Sequence, residues 1–582
     1  MMKTKKGSEH LHKYIVEQDS AAYTPIEQAT WRFILRLLAD FFKDNAHPFY
    51  FEGLKAAGIT SEQIPSIQTM RESLSEYGWK TVPVSGFIPP AAFLEMQALG
   101  FLPVAKEIRV VGHIPYTPAP DIIHEAAGHA PFLANPTFSD YLHAYADIAK
   151  KAIISSEDIA VYAAIRNLSD VKENPSSTKE DVARADKELT AALAAVTYVS
   201  EAAKSSRLYW WTAEYGLVGD LDNPKIYGAG ILSSIGEAKN CLQDNVKKLP
   251  LSVDCTDYNF NITEPQPQLF VCKEFSELKG ILQEMAATFS YQRGGKYALN
   301  EVIRAKTINS IELNSGLQIS GTFSHYLEHS DEIIYVKNDG PSQLSLEHTE
   351  LDGHGNTYHG HGYSTVLERP IGANKALHTM NANELKTIGI EKGKDCKQEF
   401  ASGILLNGFV KDILFQNDKA LVIVLENCSI EKEGETLFAP EWGIFDWGLG
   451  ENITAAFSGP ADFAAFGDFE NFHAIILKEH QFSEQELRAH KYYQKIRDCR
   501  QNFKTSGDKA VLKENLQPLF NQAVEMFDQE WLAKMELYEL FLQLEEDSSQ
   551  LQRLKQDLEA VAAKEEHLSM HIHDSFAIAK QI

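Results

Sequence analysis

Apolar residues first recur at helical spacing between Pro25 and Asn45, where Trp31, Ile34, Leu35, Leu38 and Phe41 share one face and predict an amphipathic helix. Further helices are expected over 49–58, over 61–77 (entered through Ile64 and Pro65) and over 93–101. Residues 82–90 hold Pro83, Gly86, Pro89 and Pro90 and read as a loop. An Ala-, Glu- and Lys-rich tract over 155–206 is interrupted near Asn174 and Pro175. It reads as a helical hairpin, 157–171 and 179–204, with no chemistry of its own. From residue 311 the period changes. Short apolar runs at 333–336, 404–406, 413–415 and 420–425, bounded by Gly, Asn and Asp, predict strands and turns. From 476 the pattern is helical again. Leu537, Leu540 and Leu544, then Leu551, Leu554 and Leu558, repeat a three-four spacing, as in a long amphipathic or coiled helix. Such a helix either caps its own domain or joins copies into a homo-oligomer.

The expected organisation is therefore multidomain: a mainly helical unit over 1–310 carrying the insertion at 155–206, a β-rich domain over 311–475, and a helical region over 476–582. A chain of 582 residues is too long for one core. Its 44% hydrophobic and 23% charged residues are ordinary for a globular protein. The formal charge of −26 argues against nucleic acid and against anionic lipid, both of which call for a basic face. No apolar run reaches the roughly 18 residues of a membrane span. The basic opening at Lys3, Lys5 and Lys6 has no apolar segment behind it, so no secretory signal is expected. The six cysteines form no C-x-x-C pair and read as reduced thiols. The cytoplasm is the expected location.

The candidate chemistry sits at 121–131, where Asp121, His124, Glu125, Gly128, His129 and Pro131 are crowded together. The zinc-peptidase pattern places its histidines four apart on one helix face. Here they are five apart, about 140° around a regular helix instead of about 40°. Both can reach one ion if the helix loosens near Gly128. A mononuclear iron site needs two imidazoles and a carboxylate on one face of the metal. Glu214 lies among Tyr209, Trp210, Trp211 and Tyr215. It is either on the exposed side of an aromatic helix or buried with a partner, since an unpaired buried carboxylate is costly. A second histidine run, His354, His359 and His361 among glycines, offers a metal site or a Gly-rich hairpin loop. With no carboxylate or cysteine at a clear ligand spacing, the loop reading is preferred.

Five further segments occur in order along the chain. They are Val82 to Phe87; Tyr116, Thr117 and Pro118 through Asp121, His124, Glu125, Gly128, His129 and Pro131; Trp210, Thr212 and Glu214 to Leu217; Tyr227 to Glu237; and Thr263 to Pro267. Together they resemble the pterin-dependent aromatic amino acid hydroxylases over about residues 20–305. The resemblance implies a mainly α catalytic domain of that type and an Fe(II) centre held by His124, His129 and Glu214. It implies Arg109 as the grip on the substrate α-carboxylate, held in place by Asp121. Thr117 and Ser233 would line the substrate region, with Trp210 a wall of the aromatic pocket. On the cofactor side it implies Phe93 stacking on a tetrahydropterin, with Gly86, Phe87 and Glu125 as further pterin contacts. The small-molecule partners are then an aromatic amino acid, dioxygen and the pterin.

Trp210 stands where tryptophan-specific members usually have Phe, and Ile262 where phenylalanine hydroxylases are apolar and tyrosine hydroxylases acidic. The resemblance thus points to phenylalanine becoming tyrosine. Ala126 and Ala127 replace bulkier residues of the family, Ala119 stands where an acidic residue is common, and the tract at 155–206 reads as an insertion. Two other readings stay open: a tyrosine or tryptophan hydroxylase of the same family, and a non-catalytic metal-binding protein whose β-rich domain is the working part.

Overall fold

Thr24 and Glu27 start the first helix. The Thr24 hydroxyl accepts from the Glu27 N–H at 3.2 Å, the Glu27 carboxylate accepts from the Thr24 N–H at 2.6 Å, and Pro25 opens the helix. The helix runs Pro25–Asn45, as the pattern predicts. In the computed structural model the described residues are 9–86, 88–114, 120–173, 177–260, 265–467, 482–526, 529–545 and 548–579.

Several expected elements are shorter or different, each for a local reason. The helix expected over 61–77 begins only at Ile67, because Pro65 disfavours helical geometry before it; its α-helical part ends at Leu74 and a 3-10 turn, Ser75–Tyr77, carries it to the expected end. The loop expected over 82–90 starts with a strand, Lys80–Val84, paired in parallel with Phe101–Ala105. Pro83 is tolerated because this two-stranded sheet gives the strand one partner only. The helix expected over 93–101 spans Pro90–Ala98. The hairpin of 155–206 is Ser156–Glu173 and Lys179–Ala194, closed on Leu168, Ala185 and Leu189. Its second arm does not reach 204. Ser200 caps a separate helix, Glu201–Tyr209, which belongs to the main core and leads into Glu214. A four-stranded sheet, in the order Asn223–Ile226, Leu217–Asp220, Gln268–Cys272 and Lys247–Pro250, completes this unit.

The β-rich unit has two sheets. One contains Asn309–Leu313, Leu317–His329, Glu332–Leu346 and Ile453–Ser458, with Gly362–Val366 on the Glu332–Leu346 strand. The other contains Asp395–Glu399, Ile404–Gln416, Lys419–Lys432 and Glu435–Phe438, with Phe445–Gly448 on Lys419–Lys432. Its long hairpins turn on residue pairs with positive φ at both positions: Ser330 and Asp331, and Asn417 and Asp418. That is the backbone of a two-residue turn matched to strand twist. The helix Gly295–Ala305 packs Ala298, Leu299, Val302 and Ala305 into the core of this unit.

The expected long C-terminal helix is instead a set of separate helices, with Leu537 and Leu540 on Trp531–Leu542 and Leu554 and Leu558 on Ser549–Lys564. These four leucines are buried within the chain, in the same apolar core as the first helix. The first helix is consequently covered on a second side, and Phe33 and Leu37 are buried beside the expected face. An ion-pair network crosses this contact. Arg32 Nε donates to Glu536 Oε1 at 2.7 Å, Arg36 pairs with Glu539, and Arg500 Nη2 donates to Glu539 Oε2 at 2.9 Å. Burial pushes the Glu536 carboxyl up, but the Arg32 and Arg500 charges outweigh it and hold the group below its usual range. No helix among the described residues is long and apolar enough to cross a membrane.

Removing Glu536 leaves Arg32 buried without its charge partner, so Glu536→Ala is expected to lose about 3–5 kcal/mol of stability, measured by chemical denaturation. Because the folded carboxyl is depressed from a starting value of 4.5, its contribution is present above pH 4.5 in the intact chain and fades as pH falls through the folded pKa. In the variant that part of the acid dependence is expected to disappear.

Candidate metal centre

The five-residue spacing of the histidines is met by the backbone itself. His124–His129 is a π-helical turn, closed by the Ala130 N–H on the Glu125 carbonyl five residues back. Hydrogen bonding at that interval stacks positions five apart, so the two imidazoles share a face; such bulges recur at functional sites. Glu214 ends a second turn of the same kind, Trp210–Glu214, in which the Tyr215 N–H donates to the Trp210 carbonyl at 2.8 Å. Gly128 serves differently from the expected bend. A Cβ there would lie 2.7 Å from the Ala229 carbonyl oxygen, so glycine is needed for the close approach of the segment that carries Ser233.

The three side chains converge. His129 Nε2 lies 3.1 Å from His124 Nε2 and 3.0 Å from Glu214 Oε1, and His124 Nε2 lies 3.4 Å from Glu214 Oε2. Burial raises the Glu214 carboxyl, yet His129 and then His124 outweigh it and hold the group well below its usual range. The hydrogen bonds of Ser233 place the proton of the His124 ring. Ser233 Oγ donates its one proton to the Ala229 carbonyl at 2.8 Å, so it accepts from His124 Nδ1 at 3.1 Å. The proton on Nδ1 leaves an unshared pair on His124 Nε2, facing His129 and Glu214. Two imidazole nitrogens and a carboxylate aimed at one point are the donor set of a divalent transition metal.

Ser233 also touches the arginine. Arg109 Nη1 donates to the Ser233 carbonyl at 3.1 Å, while Nε and Nη2 each donate to the Asp121 carboxylate at 2.8 Å. Burial pushes the Asp121 carboxyl up, but the Arg109 charge and hydrogen bonds lower it overall. Asp121 further accepts from the His124 N–H at 3.1 Å, tying the arginine to the start of the histidine turn. Glu125 is buried, and its Oε2 has no hydrogen-bond partner. Burial pushes it up to about 8; His129 opposes this, while Glu214 and Asp121 add to it.

Trp210 stacks on Phe260 with ring centroids 4.2 Å apart and on Tyr215 at 4.7 Å. Phe93 meets Tyr209 edge to face at 6.5 Å, and Tyr209 lies 6.2 Å from the His129 ring. Gly86 has φ of 59°, and its N–H points to Glu107 Oε2 at 3.4 Å. Thr117, Phe87 and Ile262 lie outside the described residues. Tyr209, Phe260 and Glu107 were not singled out as site residues in the sequence. Tyr209 adjoins Trp210 in the aromatic run and was open to that reading, whereas Phe260 and Glu107 carried no local signal.

A family model described as "Biopterin-dependent aromatic amino acid hydroxylase" matches residues 8–164 and 178–316, about half the chain. The chain belongs to this family. The break between the two matched segments, 165–177, lies inside the tract expected to be an insertion, whereas 155–164 and 178–206 of that tract fall within the family match. Phenylalanine-4-hydroxylase of Dictyostelium discoideum is 30% identical over 274 residues, 46% of this chain and 52% of that protein. The chain thus spans about half the length of that relative. The enzyme of the same name from Pseudomonas aeruginosa is 29% identical over 282 residues, 47% of this chain and 90% of its own. A crystal structure of Chromobacterium violaceum phenylalanine hydroxylase with bound iron(III) and 7,8-dihydrobiopterin is 25% identical. It covers 47% of this chain and 85% of its own, with a TM-score of 0.37.

Gly128→Ala is expected to force the histidine turn and the Ala229 segment apart and to cost about 1–3 kcal/mol, as overpacking does. The comparison of thermal or denaturant midpoints with the parent chain measures it; an unchanged midpoint would mean that the two segments can separate freely.

Proposed function

We propose that the chain is an Fe(II)- and tetrahydropterin-dependent monooxygenase that hydroxylates the ring of a free aromatic amino acid, L-phenylalanine to L-tyrosine. The observation that carries this reading is the double use of Ser233. Its hydroxyl orients the His124 ring, and its carbonyl accepts from Arg109. The metal position and the carboxylate-binding position are thereby held in one register.

The residues fit the groups they would hold. His124, His129 and Glu214 would be the protein ligands of Fe(II), with the remaining coordination positions left to small molecules. Glu125 Oε2, buried without a partner, is the polar atom that a pterin or its water would satisfy. Phe93 and the loop at Gly86 would flank the pterin. Fe(II) and a tetrahydropterin together supply the activation of dioxygen that ring hydroxylation needs. The protein's share is binding, orientation and exclusion of water. Arg109 has five N–H donors, of which three are engaged with Asp121 and Ser233, leaving two for a substrate carboxylate. Asp121 keeps the guanidinium plane fixed, so the clamp is rigid before substrate arrives. Trp210, set in plane by its stacking on Phe260 and Tyr215, would wall the ring pocket. The names of the relatives favour phenylalanine, as does Ile262, an apolar residue that cannot favour a para-hydroxyl by hydrogen bonding.

Purified protein with Fe(II), tetrahydropterin and phenylalanine is expected to form tyrosine, with tyrosine and tryptophan assayed beside it. Absence of any hydroxylated product from folded, iron-loaded protein would overturn the reading, and would favour the alternative of a metal-binding protein that works through its β-rich unit. Glu214→Gln is expected to lose turnover and iron affinity together. Ser233→Ala should weaken iron binding about 10–100-fold by freeing the His124 ring. Arg109→Lys should lower kcat/KM by about 10–100-fold, since a planar two-pronged clamp becomes a point charge.

A further inference from the structure

The second histidine run does find a carboxylate. His354 and His359 lie in the segment between the strands Thr349–Glu350 and Gly362–Val366, and Asp446 lies on Phe445–Gly448 of the other sheet. His354 Nδ1 is 3.4 Å from His359 Nε2, and each of these nitrogens is 3.7 Å from Asp446 Oδ2. His361, the third histidine of the run, is exposed and takes no part. We infer that His354, His359 and Asp446 form a second metal site, for a divalent transition metal of the zinc type, which ties the two sheets of the β-rich unit together.

Three observations support this. The first is geometric: a tetrahedral ion with bonds of about 2.0–2.1 Å holds its ligand atoms about 3.3–3.4 Å apart, so the three atoms need close by only a few tenths of an ångström. The second is energetic. The Asp446 side chain is 0% exposed and those of His354 and His359 are 9% and 8% exposed. Neither Asp446 oxygen has a hydrogen-bond partner of normal geometry, although the Tyr358 hydroxyl lies beside the carboxylate. One divalent ion satisfies all three groups at once.

The third is the backbone. The His354 carbonyl accepts from the Leu344 N–H at 3.0 Å and the His359 carbonyl from the Ser342 N–H at 3.1 Å, so both histidines are anchored on the Glu332–Leu346 strand. Asp446 is held by its pairing with Val424 on the neighbouring strand, and Gly448, two residues on, donates to the Tyr363 hydroxyl at 3.1 Å. The ligands are thus fixed from two sheets before any ion binds. Imidazole nitrogens select zinc, cobalt, nickel, copper or iron, and the scarcity of oxygen donors argues against calcium or magnesium. A site this enclosed, with three protein ligands, is a staple with one remaining position for water.

The test is metal stoichiometry on the full chain. Protein stripped with chelator is loaded with Zn(II), desalted and analysed for metal, in parent form and as three variants: the double variant His124→Ala, His129→Ala; His359→Ala; and Asp446→Asn. Two equivalents are expected in the parent and one in each variant. In the double variant, Zn(II) is further expected to raise the melting midpoint, and chelator to reverse the rise. Asp446→Asn is isosteric and removes a buried charge, so it is expected to fold; circular dichroism checks that. The inference is overturned if Asp446→Asn and His359→Ala, folded, hold as much zinc as the parent, or if the double variant holds none and gains no stability from zinc. Failure of hydroxylation in the parent would leave these counts untouched, so the two readings fail separately.

Discussion

The structure turns on bringing two imidazole nitrogens and a carboxylate to within 3.0–3.4 Å of each other inside a largely buried wall. Three electron-rich groups do not gather unaided in a low-dielectric interior. Here the backbone compels them. Two π turns set the angles, Ser233 fixes one ring, and the Arg109–Asp121 pair braces the entrance to the histidine turn. Gly128 allows the Ala229 segment close enough for Ser233 to reach. All of them act on the same point. A centre that is rigid before its ligands arrive loses less on binding them.

The rest of the chain supports that rigidity from outside. The helices after residue 482 share an apolar core with the first helix, and buried ion pairs from Arg32 and Arg36 to Glu536 and Glu539 fix their position. Such pairs add little net stability over apolar packing but penalise misplacement, which suits a scaffold that must hold one geometry. The β-rich unit has its own cores and is joined through the helix Gly295–Ala305, which packs on its sheet.

What was legible in the sequence was whatever is decided locally. The helix Pro25–Asn45 follows from apolar residues at helical spacing, and the strands of the β-rich unit from short apolar runs between turn residues. The histidine turn was recognised, but the form of its loosening was not, because a π turn depends on how the flanking helices are held. Long-range choices were hidden. The C-terminal leucines carry a coiled-helix spacing that cannot say whether the partner face lies in another copy or in the same chain; it lies in the same chain. Pro83 reads as a breaker until the strand beside it is known to be paired on one side only.

The two histidine pairs make the same point more sharply. His124 and His129, and His354 and His359, are both five residues apart, and each pair is joined by a carboxylate from elsewhere in the chain. In the first case the carboxylate comes from an aromatic helix that itself looked unusual. In the second it comes from Asp446, in a strand whose sequence has no mark of metal chemistry, so the histidine run read as a loop. The spacing of two ligands is therefore weak information by itself, since a π turn and an open loop both satisfy it. What separates a metal site from a pair of histidines is the third group, and its place is set by tertiary packing. For His354 and His359 that packing puts a fully buried carboxylate at 3.7 Å from both rings, which neither histidine nor its spacing announces.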